Sequence, residues 1–217
     1  MFRPLFEDRI DAGHKLAREL MEYKDDEDAI VLALPRGGVP VAYPVAEALE
    51  APLDIFLVRK LGVPGREELA MGAIASGGVR VLNHTVVDAL DIPERVIDAV
   101  AEKEQEELER RERAYRGNRQ APELEGRTVI LVDDGLATGA SMRAAVAGLR
   151  ARNPEEIVVA VPTAAPETCE MFEEEVDDII CAVTPHPFYG VGFWYENFSQ
   201  TTDDEVRNYL QKARAFK

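Results

Sequence analysis

The chain has 217 residues, of which 46% are apolar and 30% are charged, a composition typical of a folded domain and not of a disordered chain. Its 25 basic and 41 acidic residues give a net charge of -16, which disfavours binding to nucleic acid or to anionic membranes. The apolar runs are too short to span a bilayer, and the first residues lack the apolar core of a signal peptide. We therefore expect a cytoplasmic protein in which Cys169 and Cys181, too few for a disulfide framework, are free and buried thiols.

Short apolar runs alternate with helical patterns along the whole chain. The first half predicts a helix over 10–21, a strand over 29–34, a helix over 41–49, a strand over 53–58, an apolar run over 69–75 and a short strand over 79–83. The second half predicts a long charged helix over 93–117, strands over 128–132, 156–162 and 176–184, and helices over 139–152, 166–175 and 203–213. Such alternation predicts a single α/β domain over residues 1–217, with a doubly wound, mainly parallel sheet of about five strands and flanking helices.

The loop after the strand over 128–132 carries the strongest chemical signal, because ligands of such folds bind at the carboxyl ends of strands. It begins with the adjacent Asp133 and Asp134 and continues through small and hydroxyl-bearing residues into a helix. Carboxylates accept hydrogen bonds from vicinal hydroxyls, and the N–H groups that begin a helix bind phosphate. One loop thus offers a partner for each half of a ribose 5-phosphate.

The segment VILVDDGLATGAS resembles the 5-phosphoribosyl 1-pyrophosphate (PRPP) motif of type I phosphoribosyltransferases, and the order of the other loops extends the resemblance over about residues 29–185. The whole pattern is similar to a stand-alone group of phosphoribosyltransferase-like proteins. The resemblance implies that Asp133 and Asp134 hold the ribose hydroxyls and, through ribose or water, a Mg²⁺ ion. It implies that the 5-phosphate lies against Ala137, Thr138, Gly139, Ala140 and Ser141. Gly135 departs from the family pattern, in which an apolar residue is common at this position.

A second loop, LPRGGVP, follows the strand over 29–34. Arg36 supplies a fixed positive charge, while Gly37 and Gly38 let the backbone approach an anion closely. The resemblance implies that this loop binds pyrophosphate.

A third loop contains Arg59 and Lys60 followed by a segment rich in glycine and proline, which we predict to be a mobile loop over 61–69. The resemblance implies that this loop closes over the leaving pyrophosphate and that Arg59 and Lys60 bind that anion. Ala137 replaces an Asp that is thought to act as the base in some 6-oxopurine members, so Glu67 or Glu68 is the candidate for proton transfer here.

An aromatic segment near the C-terminal end contains Phe188, Tyr189 and Trp194. These rings are candidates to stack on a planar base, within a small hood formed by the N-terminal segment, by residues 184–200, or by both. The same rings could instead pack the last helix onto the sheet, and the sequence leaves both alternatives open.

The resemblance implies a PRPP-dependent enzyme, a pentosyltransferase of nucleotide metabolism and a homodimer. It would move ribose 5-phosphate from PRPP to a nitrogenous base, or release it from a nucleotide, with Mg²⁺ as cofactor. The partners would be small molecules, not nucleic acid or a membrane. The alternative is a regulatory protein that binds PRPP or a nucleotide without turnover. The sequence does not identify the base.

Overall fold

The computed structural model describes residues 4–216, which form alternating helices and strands. In chain order the elements are α1 (Arg9–Glu19), β1 (Ile30–Ala33), α2 (Gly38–Leu49), β2 (Leu53–Ile55), β3 (Val58–Val63), β4 (Arg66–Ala75), β5 (Val79–Leu82), α3 (His84–Ala89), α4 (Glu94–Arg116), β6 (Thr128–Val132), α5 (Ala140–Arg150), β7 (Glu156–Thr163), α6 (Pro166–Phe172), β8 (Asp178–Val183) and α7 (Asp203–Lys212). Short 3₁₀ turns lie at Met21–Tyr23, Val191–Trp194 and Ala213–Ala215.

Five strands form the main sheet in the order β2-β1-β6-β7-β8, and every neighbouring pair is parallel. The strand order reverses between β1 and β6, because the chain first builds outward to β2 and later returns to the other side of β1. Open α/β sheets bind their ligands at such a switch point. The predicted doubly wound parallel sheet of about five strands is confirmed.

Alternate residues of each central strand enter two separate cores. Val31 and Ala33 of β1 face the core built with α1, α2 and α7, whereas Ile30 and Leu32 face the core built with α5 and α6. All four side chains are essentially inaccessible to solvent. Burial on both faces explains why these strands are continuous apolar runs and do not alternate polar with apolar residues.

A second, antiparallel sheet corrects the prediction of a mobile loop over 61–69. The strand that begins at Leu53 ends at Ile55, and β3 and β4 then form a hairpin that turns at Pro64 and Gly65. The apolar run over 69–75 is therefore part of β4, which also pairs with β5, and it does not enter the main sheet. Glycine and proline in this segment mark the turn of a hairpin and not a longer irregular loop.

The long helix α4 is anchored at its C-terminal end. Arg116 is buried, and its Nε donates to Asp54 Oδ1 of β2 at 3.0 Å while its Nη1 donates to Glu112 Oε1 at 2.8 Å. The Tyr115 hydroxyl donates to Asp203 Oδ1 of α7 at 2.8 Å. These contacts fix one end of α4 between the edge of the main sheet and the last helix.

Cys169 of α6 and Cys181 of β8 form a disulfide, which corrects the expectation of two free thiols. Both residues are half-buried at the edge of the core between α6 and the sheet. Parallel pairing of β7 with β8 brings Cys181 beside α6, a proximity that a count of cysteines does not reveal. Within residues 4–216, no helix combines the length and the apolar character needed to cross a membrane.

Candidate functional site

The loops after β1 and β6 start side by side at the carboxyl edge of the main sheet. The Leu34 N–H donates to the Val132 carbonyl at 2.9 Å, so the pairing of the two strands continues to their last residues. Asp133 and Asp134 follow directly and are half-buried. The acidic pair therefore lies at the switch point, next to the loop that contains Arg36, Gly37 and Gly38.

Gly37 and Gly38 lie so close to the acidic pair that a side chain at either position would displace neighbouring atoms. A Cβ on Gly38 would lie 2.7 Å from the Val132 carbonyl oxygen and 3.0 Å from the Asp133 Cα. A Cβ on Gly37 would lie 2.1 Å from Asp134 Oδ2. Both distances from a Cβ on Gly38 are to backbone atoms, which can move only if the chain itself shifts. The two glycines thus allow two loops, about a hundred residues apart in the chain, to form one surface.

The acidic pair is electrostatically unfavourable without a ligand. Burial, and then the charge of Asp134, raise the pKa of Asp133 well above its usual range, although the Asp134 N–H donates to Asp133 Oδ1 at 2.8 Å. Burial also raises the pKa of Asp134, and the neighbouring Arg9 opposes that rise. Arg9 Nη2 lies 2.8 Å from Asp134 Oδ2. Two carboxylates thus share one cation, an arrangement that favours binding of hydroxyl donors or a further cation.

The donor set of the pair fits a magnesium ion better than a tightly caged metal. Among the described residues, no group of three or more His, Cys, Asp or Glu side chains could surround a metal ion. Mg²⁺ commonly binds through one or two carboxylates, with water and substrate phosphates completing its shell. Asp133 and Asp134 can supply that share of the ligands.

Residues of α6 contact the segment from Ala137 to Ser141 and constrain its backbone. Thr168 Oγ1 donates to the Ala137 carbonyl at 2.6 Å. Gly139 has φ +73°, and a Cβ there would lie 2.6 Å from Phe172 Cε2, so both backbone conformation and space require glycine.

The start of α5 is open to solvent and suited to an anion. Ala137, Thr138, Ala140 and Ser141 are exposed, and α5 has no side-chain cap. The first N–H groups of a helix lack partners within the helix, so these groups can bind a phosphate. Five residues that the sequence predicted as a phosphate cradle therefore lie beside the acidic pair in a form that can act as one.

Arg36 does not contact the acidic pair in this conformation. Its Nη1 lies 3.6 Å from Asp203 Oδ1 at the start of α7, and its side chain is 35% exposed. Asp203 also accepts the Tyr115 hydroxyl, so Arg36 lies at the meeting point of α4 and α7.

The four candidates on the hairpin lie apart from the acidic pair. Arg59 Nε donates to Glu104 Oε2 of α4 at 2.7 Å, Lys60 Nζ lies 3.4 Å from Glu68 Oε2, and Glu67 Oε1 accepts the Gly65 N–H at 3.2 Å. These side chains line a cleft of about 510 Å³ between the hairpin and α4. In the part of the chain that the structure describes, none of them hydrogen-bonds or ion-pairs with the loops after β1 and β6.

The three aromatic candidates differ in exposure. Trp194 is 4% exposed and packs with Phe6 in a small cluster, so its ring faces are covered. Tyr189 is 59% exposed, and its ring centre lies 5.0 Å from that of Phe193. Phe188 is half-buried against the same cluster. Of the three, Tyr189 has the most accessible ring for a planar ligand.

Two features of the site were missed in the sequence. A Cβ on Gly135 would lie 2.5 Å from Val191 Cγ1, so this glycine allows the 191–194 turn to pack on the loop after β6. Its departure from the apolar residue common in related sequences was the available signal. Arg9 ion-pairs with Asp134 from 125 positions away and left no signal, because a lone arginine at the start of a helix is ordinary.

A family model described as a phosphoribosyl transferase domain matches residues 6–196, which include both loops of the switch point. The chain belongs to the phosphoribosyl transferase family. The match begins in the segment before α1 and ends just after the 191–194 turn, so it includes both strand-end loops and the hairpin of this family member.

Two curated proteins and one solved structure, each at least 40% identical to this chain, support this membership. The family member is 46% identical over 209 residues to two Mycobacterium tuberculosis proteins, from strains CDC 1551 and H37Rv, which carry phosphoribosyl transferase as a provisional name. That alignment covers 96% of this chain, but the chain spans about half the length of these curated relatives (47%). The crystal structure of TT1426 from Thermus thermophilus is 40% identical, with a TM-score of 0.84, and the match covers 95% of this chain and 98% of that one.

Proposed function

We propose that this family member transfers ribose 5-phosphate from PRPP to a nitrogenous base, or catalyses the reverse reaction. The observation that carries the proposal is the meeting of two loops at the switch point between β1 and β6, where Gly37 and Gly38 lie directly against Asp134 and Asp133. Family membership supports the transferase chemistry. PRPP carries a 5-phosphate, a vicinal diol and a pyrophosphate on one ring, and this surface offers a partner for each.

The acidic pair would hold the sugar, and the start of α5 would hold its 5-phosphate. Asp133 and Asp134 are hydrogen-bond acceptors for the ribose hydroxyls. The N–H groups from Ala137 to Ser141, with the Thr138 and Ser141 hydroxyls, would bind the phosphate dianion. A sugar gripped at both ends is oriented for displacement at its anomeric carbon.

The pyrophosphate would leave across the Arg36–Gly38 loop. The narrow backbone at Gly37 and Gly38 lets the leaving group lie close to the sugar, and Arg36 can turn from Asp203 to take up its charge. Asp133 and Asp134 would hold Mg²⁺ indirectly, through the ribose hydroxyls or water, and the ion would supply positive charge to neutralise the leaving group. Arg59 and Lys60 would add positive charge from the hairpin, and Glu67 or Glu68 would move the proton.

The acceptor base would lie beneath a hood made of the N-terminal segment and residues 184–200. The Phe6 N–H donates to the Trp194 carbonyl at 3.1 Å, and the Glu196 N–H donates to the Phe6 carbonyl at 2.9 Å, which joins the two segments. The Tyr195 hydroxyl donates to the Asp134 carbonyl at 2.6 Å, a contact that supports a hood next to the acidic pair. Tyr189 is the ring on which we expect the base to stack.

The first test measures PRPP binding in the presence of Mg²⁺ by titration calorimetry. Asp133→Asn with Asp134→Asn should weaken binding about 100-fold or more, because each charged hydrogen-bond acceptor contributes about 1.5–3 kcal/mol. The control, Glu123→Gln with Glu125→Gln, removes the same charge from exposed positions at the opposite end of β6 and should bind normally. Equal affinity of the two double variants would contradict the assignment of the sugar site.

The second test separates an enzyme from a regulatory protein. Purified protein with PRPP and Mg²⁺ is given a panel of nitrogenous bases, and release of pyrophosphate is measured. We expect release with at least one base and none from the Asp133→Asn, Asp134→Asn double variant. Tight PRPP binding without release for any base would instead support the regulatory alternative.

A further inference from the structure

Arg9 reaches the candidate sugar site from the first turn of α1. Its Nε and Nη2 lie 2.9 and 2.8 Å from Asp134 Oδ2, so two donors of one guanidinium hold a single carboxylate oxygen. The pair is well shielded, with side-chain exposures of 11% for Arg9 and 17% for Asp134. A Cβ on Gly37 would lie 3.4 Å from Arg9 Nε, so Arg9 also borders the loop after β1.

The guanidinium is held from two further directions. Its Nη1 donates to the Ser199 carbonyl at 2.8 Å, and its central carbon lies 3.9 Å from the centre of the Phe198 ring. A planar group held by three donors and one aromatic face has little freedom to rotate. Asp134 is therefore fixed in one rotamer by a group that is itself fixed.

The hydrogen bonds of the pair leave one oxygen on each carboxylate for a ligand. Asp134 Oδ2 accepts from Arg9, and Asp133 Oδ1 accepts from the Asp134 N–H. Within residues 4–216, Asp134 Oδ1 and Asp133 Oδ2 accept no hydrogen bond from another residue. Two remaining acceptor oxygens match the two hydroxyl donors of a vicinal diol.

We propose that Arg9 is a positioning residue that sets the sugar specificity of this site, because it holds one oxygen of Asp134 and thereby aims the other at one ribose hydroxyl. This inference rests on the proposed function. Without Arg9, Asp134 would rotate between conformations, and its hydrogen bond to the hydroxyl would form only part of the time. The contact of Arg9 is with Asp134 and not with the sugar, so its effect is confined to the hydroxyl that Asp134 reads.

The experiment compares three probes by titration calorimetry: ribose 5-phosphate and its 2-deoxy and 3-deoxy forms. The unmodified protein should bind ribose 5-phosphate about tenfold more tightly than either deoxy form, because each loses one hydrogen bond to a charged group. Arg9→Gln should reduce one of these two preferences to near unity and leave the other, which depends on Asp133, unchanged. The deoxy form that lacks the hydroxyl bound by Asp134 should bind Arg9→Gln as tightly as it binds the unmodified protein.

A merely structural role of Arg9 gives a different pattern. In that case Arg9→Gln would weaken the binding of all three probes by the same factor and keep both preferences. This result would overturn the proposal. Arg18→Gln, an exposed arginine on the same helix, is the matched control and should keep both preferences. If Arg9→Gln fails to fold, Arg9→Lys keeps the charge but not the two-donor grip, and it should still lose the same preference.

The proposed function itself fails separately in the same experiment. An unmodified protein that binds neither PRPP nor ribose 5-phosphate contradicts the sugar site as a whole. Clear binding of ribose 5-phosphate with both preferences intact in Arg9→Gln contradicts only the role of Arg9.

Discussion

Asp133 lies where its negative charge is disfavoured. Burial and the charge of Asp134 both raise its pKa, so the folded protein binds its proton more tightly than the unfolded chain does. For a carboxyl group with a raised pKa, stability falls as the pH rises from the unfolded pKa, about 3.9, through the folded pKa. At neutral pH the ligand-free site is therefore destabilising, as is common where charges are arranged for binding.

Asp133→Asn removes this unfavourable charge. Without divalent cations, the variant should melt a few degrees higher than the unmodified protein at pH 7, at about 2–4 °C for each kcal/mol gained. The gain should shrink as the pH is lowered and disappear below about pH 4, where Asp133 is protonated in both states. Thermal unfolding in a chelating buffer across this range measures the difference. Asp134→Asn is the comparison, and it should show a smaller gain, because Arg9 offsets part of the burial of Asp134 and loses its partner in this variant.

At the scale of elements, the buried strands were predictable and the second sheet was not. The apolar runs over 29–34, 128–132 and 156–162 contain β1, β6 and β7 to within a residue or so, because burial on both faces leaves an unmistakable pattern. The segment from Leu61 to Leu69 mixes glycine, proline and charge, and its strands exist because β4 finds partners on both sides. Pairing between strands is a tertiary effect that local composition does not reveal.

The residues of the candidate site also divide into some that the sequence predicts and some that it does not. Asp133, Asp134 and the proposed phosphate-binding residues 137–141 form one continuous segment, so their proximity follows from the sequence alone. The contact of that segment with Gly37 depends on strand order, and the roles of Arg9 and Val191 depend on how remote segments pack. The Cys169–Cys181 bond belongs to this second class, because it joins α6 to the edge strand β8.

Docking of the 191–194 turn onto the loop after β6 can be tested at Gly135. Gly135→Ala places a Cβ 2.5 Å from Val191 Cγ1, and this overpacking should lower the free energy of unfolding by about 1–3 kcal/mol. Combining it with Val191→Ala removes the clashing methyl groups and should recover most of the loss. Urea unfolding of the two single variants and the double variant measures the coupling. Additive losses, with no recovery in the double variant, would mean that the two segments do not pack as described.

On the scale of the whole molecule, the dominant electrostatic fact is the net charge of -16. Like charges repel across the surface, and dissolved salt screens this repulsion. Most ion pairs in the described residues are exposed and contribute little stability to oppose it. The ion pair between Arg9 and Asp134 is an exception, because it lies within the candidate site and is largely shielded from solvent.

The melting temperature should therefore rise with salt. Between about 0.01 and 0.15 M NaCl the screening length falls from about 30 to about 8 Å, so repulsion between distant carboxylates is largely removed. Calorimetric scans should show an increase of a few degrees, and KCl should act as NaCl does if screening is the cause. A melting temperature that falls with either salt would mean that attractive ion pairs outweigh the overall repulsion.

The helix α4 sets the distance between two arginines that we propose to bind the leaving group. Arg59 is tethered to Glu104, and Arg36 meets α4 beside Tyr115 through their common partner Asp203. Eleven residues of helix separate these two points, about 16 Å at 1.5 Å per residue. A single diphosphate is much shorter than that span. If both arginines bind one such anion, as we propose, then Arg36 has to leave Asp203 or Arg59 has to leave Glu104, so the proposed reaction would require at least one of these two ion pairs to break.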